Sequence, residues 1–219
     1  MGLAGEAHGR LAVRVVTKTL SIIEGASELV VVQRKELVEL FGFETRNKYA
    51  IESNGVPLAF AAEQGKSGLD LLARYFVGHW RTFEIHFFDT ARNLVFRAVH
   101  PFRFFFQRLE VTAADGRPIG AIQQRFAILS KRFDVLDRNG SELLRVSSAL
   151  WRPWTFVFER NGNEVARIEK KWSGVLMEAF TDADRFRISM RPELELEERI
   201  LLLAAAVFVD LQYFEAKAS

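Results

Sequence analysis

Apolar and polar residues alternate along most of this chain, the period-two pattern of a strand with one buried and one wet face. Phe83, Ile85 and Phe87 share one face with His86 on the other; Phe156 pairs with Phe158 in the same way, and Phe186 with Ile188 and Met190. The alternating segments come in pairs joined by polar turns. They read KYAIES-NG-VPLAFAA over 48–62, TFEIHFF-DTAR-NLVFRA over 82–98 and RLEVTAA-DG-RPIGAIQQ over 108–124. Two more follow, RFDVLD-RNG-SELLRVS over 132–147 and TFVFER-NG-NEVARIE over 155–169. Four of the five turns hold Asn-Gly or Asp-Gly, at Asn54-Gly55, Asp115-Gly116, Asn139-Gly140 and Asn161-Gly162. That dipeptide supplies the positive φ angles of a tight hairpin. Five hairpins and two lone strands, 28–33 and 185–190, predict twelve strands.

The tail breaks the alternation. Glu193 to Glu198 is acidic, after which Ile200, Leu201, Leu202, Leu203, Ala204, Ala205, Ala206, Val207, Phe208 and Val209 form an unbroken apolar run. Leu, Ala and Glu favour helix, and Glu193, Glu195, Glu197 and Glu198 sit at the end where a helix dipole favours acids. A helix apolar on every side must be enclosed. A membrane span needs about 20 apolar residues, and this run meets Asp210 well short of that. Twelve strands rolled into a barrel leave a lumen too wide for side chains alone to fill. The expected fold is therefore all-β with a central helix, a twelve-stranded barrel enclosing the hydrophobic C-terminal helix. Residues 1–25, basic and apolar over 10–23, are expected to be a flexible leader, and 26–217 the barrel domain.

Composition narrows the function. Phenylalanine, at 20 of 219 residues, supports strand-rich structure. A net charge of +2 argues against a nucleic-acid binder that relies on a strong overall field. The absence of cysteine removes disulfides, thiolate nucleophiles and Cys-type zinc sites. The N-terminus has no signal-peptide apolar core, so a cytoplasmic location is the expectation.

Two stretches carry a family resemblance. Gly42-Phe43-Glu44-Thr45-Arg46-Asn47-Lys48-Tyr49 with Phe60-Ala61-Ala62-Glu63 is one; Lys171-Trp172-Ser173-Gly174-Val175-Leu176 leading into Glu178-Ala179-Phe180-Thr181-Asp182-Ala183-Asp184 is the other. With them the chain resembles the phospholipid scramblases, of the Tubby-like and LURP-one-related superfamily, over residues 28–215. The resemblance implies a Tubby-like barrel around a central helix. It also implies peripheral binding of membrane phospholipid and ATP-independent, calcium-influenced lipid translocation between leaflets, at the plasma membrane in the family's eukaryotic members. The alternative is a soluble Tubby-like interaction module with protein partners, or a lipid-binding scaffold without scrambling activity. Two departures stand out. Where those members have a proline-rich extension this chain has only the short leader, and where they have a palmitoylated cysteine cluster it has Pro101-Phe102-Arg103-Phe104-Phe105-Phe106.

Candidate chemistry is sparse. The family's calcium segment corresponds to 182–193, where Asp182, Asp184 and Glu193 keep carboxylates at the first, third and twelfth positions. Arg185, Arg187 and Arg191 are interleaved and oppose a doubly charged cation, so two readings stand: Asp182 and Asp184 capping or pairing with arginines, and weak calcium binding. All four tryptophans fall between hairpins: Trp80 beside Arg81, Trp151 beside Arg152, Trp154, and Trp172 beside Lys170 and Lys171. The cluster Phe102, Phe104, Phe105 and Phe106 with Arg103 fills another junction. In an up-and-down barrel these junctions share one rim and the Asn-Gly turns share the other. Aromatic rings beside cations suit a lipid headgroup boundary; they suit equally a plug that closes the barrel over its helix. No catalytic constellation is evident, and enzyme activity is not expected.

Overall fold

The computed structural model describes residues 2–34, 47–64, 82–128, 130–149, 151–171 and 184–213. Helix α1 (Gly2–Gly25) leads into twelve strands, β1 (Glu28–Gln33), β2 (Lys48–Ser53), β3 (Val56–Glu63), β4 (Phe83–Asp89), β5 (Leu94–His100) and β6 (Arg108–Ala113), then β7 (Pro118–Arg125), β8 (Ser130–Asp137), β9 (Glu142–Ala149), β10 (Thr155–Arg160), β11 (Asn163–Lys171) and β12 (Arg185–Met190). Helix α2 (Leu196–Tyr213) follows. Each strand pairs antiparallel with its sequence neighbour, and β12 returns to β1 through Leu29↔Ile188 and Val31↔Phe186, closing the barrel. The expected architecture is the observed one.

The turns show why the hairpins form. At Asn54-Gly55 and Asn161-Gly162 both residues take positive φ, the conformation whose twist matches the flanking strands. The glycine-free fifth turn is held differently. Arg92 takes φ 67° there, and the Asp89 carboxylate accepts hydrogen bonds from the Ala91 and Asn93 amides at 2.8 and 2.9 Å. Each hairpin also carries one register shift a few residues before its turn, at 51/52, 87/88, 111/112, 135/136 and 158/159. Such irregularities increase local twist and help a sheet curl closed.

The inward residues of every strand and the apolar run of α2, Ile200 to Val209 with Leu211, form one core. From Ile200 to Val209 no residue of α2 is more than 5% exposed. Phe208 lies among the rings of Phe83, His100 and Phe133, 5.7–6.4 Å between centroids, so strands from different parts of the wall meet it. At Gly120 an added Cβ would sit 2.2 Å from the Leu136 carbonyl oxygen and 3.0 Å from Leu201, which fixes glycine where β7 approaches the helix.

Polar groups secure both ends of α2. At its start Glu198 reaches back to the Glu195 amide at 3.0 Å, half of a capping box, and its other oxygen accepts from Arg160. At its far end Tyr49 donates a 2.8 Å hydrogen bond to Asp210, the acid that terminates the apolar run. Arg199, 2% exposed, donates to the carbonyls of Arg191, Pro192 and Leu194 in the entry loop and to those of Ile23 and Ala26 at the end of α1.

That last clasp ties the end of the expected leader to the barrel domain. Val16, Leu20 and Ile23 recur at helical spacing and pack on the core, with Ile23 and Thr19 buried. The guanidinium of Arg199 supplies donors where the carbonyls at a helix end run out of intrahelical partners; the Ile23 carbonyl also accepts from the Ala26 amide at 3.4 Å.

Candidate functional site

Strand direction gives the barrel two unlike rims. One carries the five hairpin turns and the entry to α2; the other carries the junctions between hairpins. Nine large apolar side chains are exposed among the described residues, and seven of them lie on three junctions: Phe102, Phe104, Phe105 and Phe106 between β5 and β6, Phe126 and Ile128 between β7 and β8, and Trp151 between β9 and β10. In the strand order these three loops are consecutive along the rim. Their exposure is extreme: Phe105 81%, Ile128 82% and Trp151 83%. Water contact at such side chains is unfavourable by about 25 cal/mol per Å², and a contiguous patch of this kind marks an interaction surface.

Local structure holds the rings outward. Phe106 takes a positive φ of 53°, turning the chain back into β6. The Gln123 side-chain amide donates to the Phe106 carbonyl at 3.0 Å, and the Gln124 side chain accepts from the Gln107 amide at 3.0 Å. Phe102 and Phe104 meet edge to face, 4.9 Å apart. The ring pair thus stands on a hydrogen-bonded base.

The remaining aromatic and basic candidates divide. Trp154 is half-buried against the core, with Lys170 Nζ 5.7 Å from its ring. Lys170 also lies 5.9 Å from the Phe186 ring and forms a 2.7 Å ion pair with Asp184. Trp154 and Lys170 therefore belong to the packed mouth of the barrel. Lys171 pairs with Glu169 at 3.2 Å, a wall contact. Arg103 and Arg152 are exposed beside the rings, as the sequence suggests. Trp80, Arg81 and Trp172 lie outside the described residues.

The calcium candidates are not brought together. Asp184 precedes β12 at the junction rim, whereas exposed Glu193 follows β12 at the turn rim. Six strand residues separate them, about 20 Å at the rise of a strand. Asp184 is moreover paired with Lys170. This carboxylate pair does not fit one cation; Asp182 lies outside the described residues. Among the described residues no group of three acidic or histidine side chains is placed to hold a metal, and no helix is long and apolar enough to cross a membrane.

Phe126 and Ile128 were not among the sequence candidates. Their signal is in RFAILSKR over 125–132, an apolar run without alternation, bracketed by basic residues and falling between two hairpins.

Known proteins bear on this geometry. Residues 10–216 match the family model described as Scramblase. Phospholipid scramblase 1 of Homo sapiens is 28% identical over 91% of this chain and 67% of its own length. Phospholipid scramblase 2 of Bos taurus is 28% identical over 90% of this chain and 71% of its own. The Altered inheritance rate of mitochondria protein 25 of Saccharomyces cerevisiae is 23% identical over 94% and 74%. The chain thus spans about two thirds of the length of the first two of these relatives. No solved structure matches it.

Proposed function

Because this chain belongs to the scramblase family, we propose that it works at phospholipid bilayers as a peripheral protein, docking by the junction rim of its barrel. The observation that carries the reading is the placement of seven of nine exposed large apolar side chains on three adjacent loops of one rim. Rings and branched chains at that edge enter the headgroup region, while the enclosed helix stays inside the protein and need not span the membrane. Shallow insertion from one side spreads the leaflet it touches, and local disorder of that kind lowers the barrier to lipid movement between leaflets. Promotion of such movement, with no nucleotide consumed, is the activity we assign. The separation of Asp184 from Glu193 favours a function that does not depend on a calcium ion held between them.

Flotation of the purified protein with vesicles of mixed natural phospholipids tests docking. Fluorescent-lipid accessibility in the same vesicles, with and without calcium, tests translocation. Cofloating protein and calcium-independent loss of leaflet asymmetry are expected. Protein that stays in the aqueous fraction at low salt overturns the reading and favours an interaction module that uses the same patch for a protein partner.

A further inference from the structure

The docking rim is basic as well as apolar. Over 101–108, 125–132 and 150–154 the three loops and their strand ends contain six basic residues and no acidic one. Arg103, Arg132 and Arg152 are exposed there, one at each loop, and none has an ion pair among the described residues. Arg125 and Arg132 are direct cross-strand partners in the β7–β8 register, on either side of Phe126 and Ile128. Like charges placed opposite each other destabilise a strand pair. The Asp134 carboxylate, 2.5 Å from Arg125 and itself nearly buried, offsets one of the two guanidiniums. The other still faces solvent at the edge of an apolar loop.

The opposite rim has a different composition. Its five hairpin turns hold Asn, Gly, Asp, Arg, Ser and Thr with no apolar side chain larger than alanine, and at the strand ends beside them Val56 is the one exposed large apolar side chain among the described residues. Asp115 and Arg117 are paired at 2.7 Å there, and Glu193, Glu195 and Glu197 flank the entry to α2. On this rim the exposed Arg92, Arg117, Arg138 and Arg191 are matched by exposed Asp115, Glu193, Glu195 and Glu197, whereas the three apolar loops and their strand ends have basic residues alone.

We infer that this rim recognises anionic phospholipid bilayers specifically, the free arginines meeting negatively charged headgroups while Phe105, Ile128 and Trp151 enter between them. The inference rests on the docking reading and adds the lipid class and three contact residues, Arg103, Arg132 and Arg152. The two kinds of contact are complementary. Basic side chains concentrate the protein at a negative surface and are weakened by salt, and apolar insertion is not.

Each arginine held near an anionic surface raises binding about fivefold. Removing three therefore lowers it roughly a hundredfold. The test compares vesicles of phosphatidylcholine alone with vesicles of phosphatidylcholine and phosphatidylserine, at low and physiological ionic strength. The wild-type protein should bind the mixed vesicles far more tightly, with salt weakening the difference. A variant with Arg103→Gln, Arg132→Gln and Arg152→Gln should lose most of that preference while keeping the wild-type melting temperature, since all three side chains are exposed. A variant with Arg92→Gln, Arg138→Gln and Arg191→Gln removes the same charge from exposed positions on the opposite rim and should bind as the wild type does. Equal loss in both variants means that overall charge governs binding, and overturns the inference. Equal binding of wild-type protein to the two vesicle types also overturns it, but leaves docking intact. Binding to neither overturns both.

Discussion

Phe208→Ala tests the enclosure of the helix at a side chain whose surroundings are fully specified. The ring is fully buried and lies within 6.4 Å of the rings of Phe83, His100 and Phe133, from β4, β5 and β8. Truncation removes the transfer free energy of a phenyl group and leaves a cavity between walls that, tied into a closed sheet, cannot collapse far. Such changes cost about 3–5 kcal/mol, a large part of the roughly 5–15 kcal/mol that holds a domain folded. For a chain of this size the melting temperature should fall by roughly 6–20 °C. Urea unfolding followed by near-ultraviolet circular dichroism gives the value, and Phe105→Ala is the internal control. That ring is 81% exposed, so its loss should change stability by no more than about 0.5 kcal/mol. A cost below about 1 kcal/mol for Phe208→Ala, or equal costs for the two variants, would refute the reasoning. In that case α2 is not gripped on all sides.

Three further outcomes follow from the same structure. Gly120→Ala should destabilise by about 1–3 kcal/mol in a thermal melt, because its methyl group would meet the Leu136 backbone carbonyl. Arg199→Met should cost about 2–3 kcal/mol; hydrogen exchange should quicken first at residues 19–26, whose carbonyls at Ile23 and Ala26 lose their donor. The Arg167 guanidinium, hydrogen-bonded to Glu164, holds that carboxyl below its ordinary value of 4.5. A depressed folded-state value means that the pair contributes stability above pH 4.5 and loses it as the pH falls through the folded value. With both side chains about a third exposed, Glu164→Gln should remove only a few tenths of a kcal/mol at neutral pH and nothing in strong acid, measured by urea unfolding at both pH values.

Local chemistry made the barrel legible. The Asn-Gly dipeptides at 54–55 and 161–162 require the positive φ values that they adopt, and period-two patterning places Leu29, Phe186 and Ile188 inside without knowledge of their partners. The apolar surround of α2 predicts its enclosure for the same reason. The register shifts at 51/52 or 158/159 leave no such trace, because neighbouring strands decide them jointly. The docking of α1 was hidden because its key donor, Arg199, lies 173 residues from the Ala26 carbonyl it serves. In the rim, aromatic residues between hairpins were readable as a class. Their division was not: Trp151 points to solvent whereas Trp154 packs inward, although both lie in the same loop between β9 and β10, where no period-two alternation assigns a side chain to one face. The acidic spacing of Asp184 and Glu193 was misleading as a loop motif, since an intervening strand stretches it across the height of the barrel.

Because the chain contains no cysteine, a single introduced thiol carries a unique nitroxide label, and the two rims can be compared directly on protein bound to vesicles of phosphatidylcholine and phosphatidylserine. A label at Ile128→Cys should gain oxygen accessibility and lose contact with an aqueous relaxant, while one at Asn139→Cys on the hairpin rim should stay in water. Both labels remaining aqueous on bound protein, or Asn139→Cys entering the bilayer in place of Ile128→Cys, would contradict a membrane contact made by the junction rim.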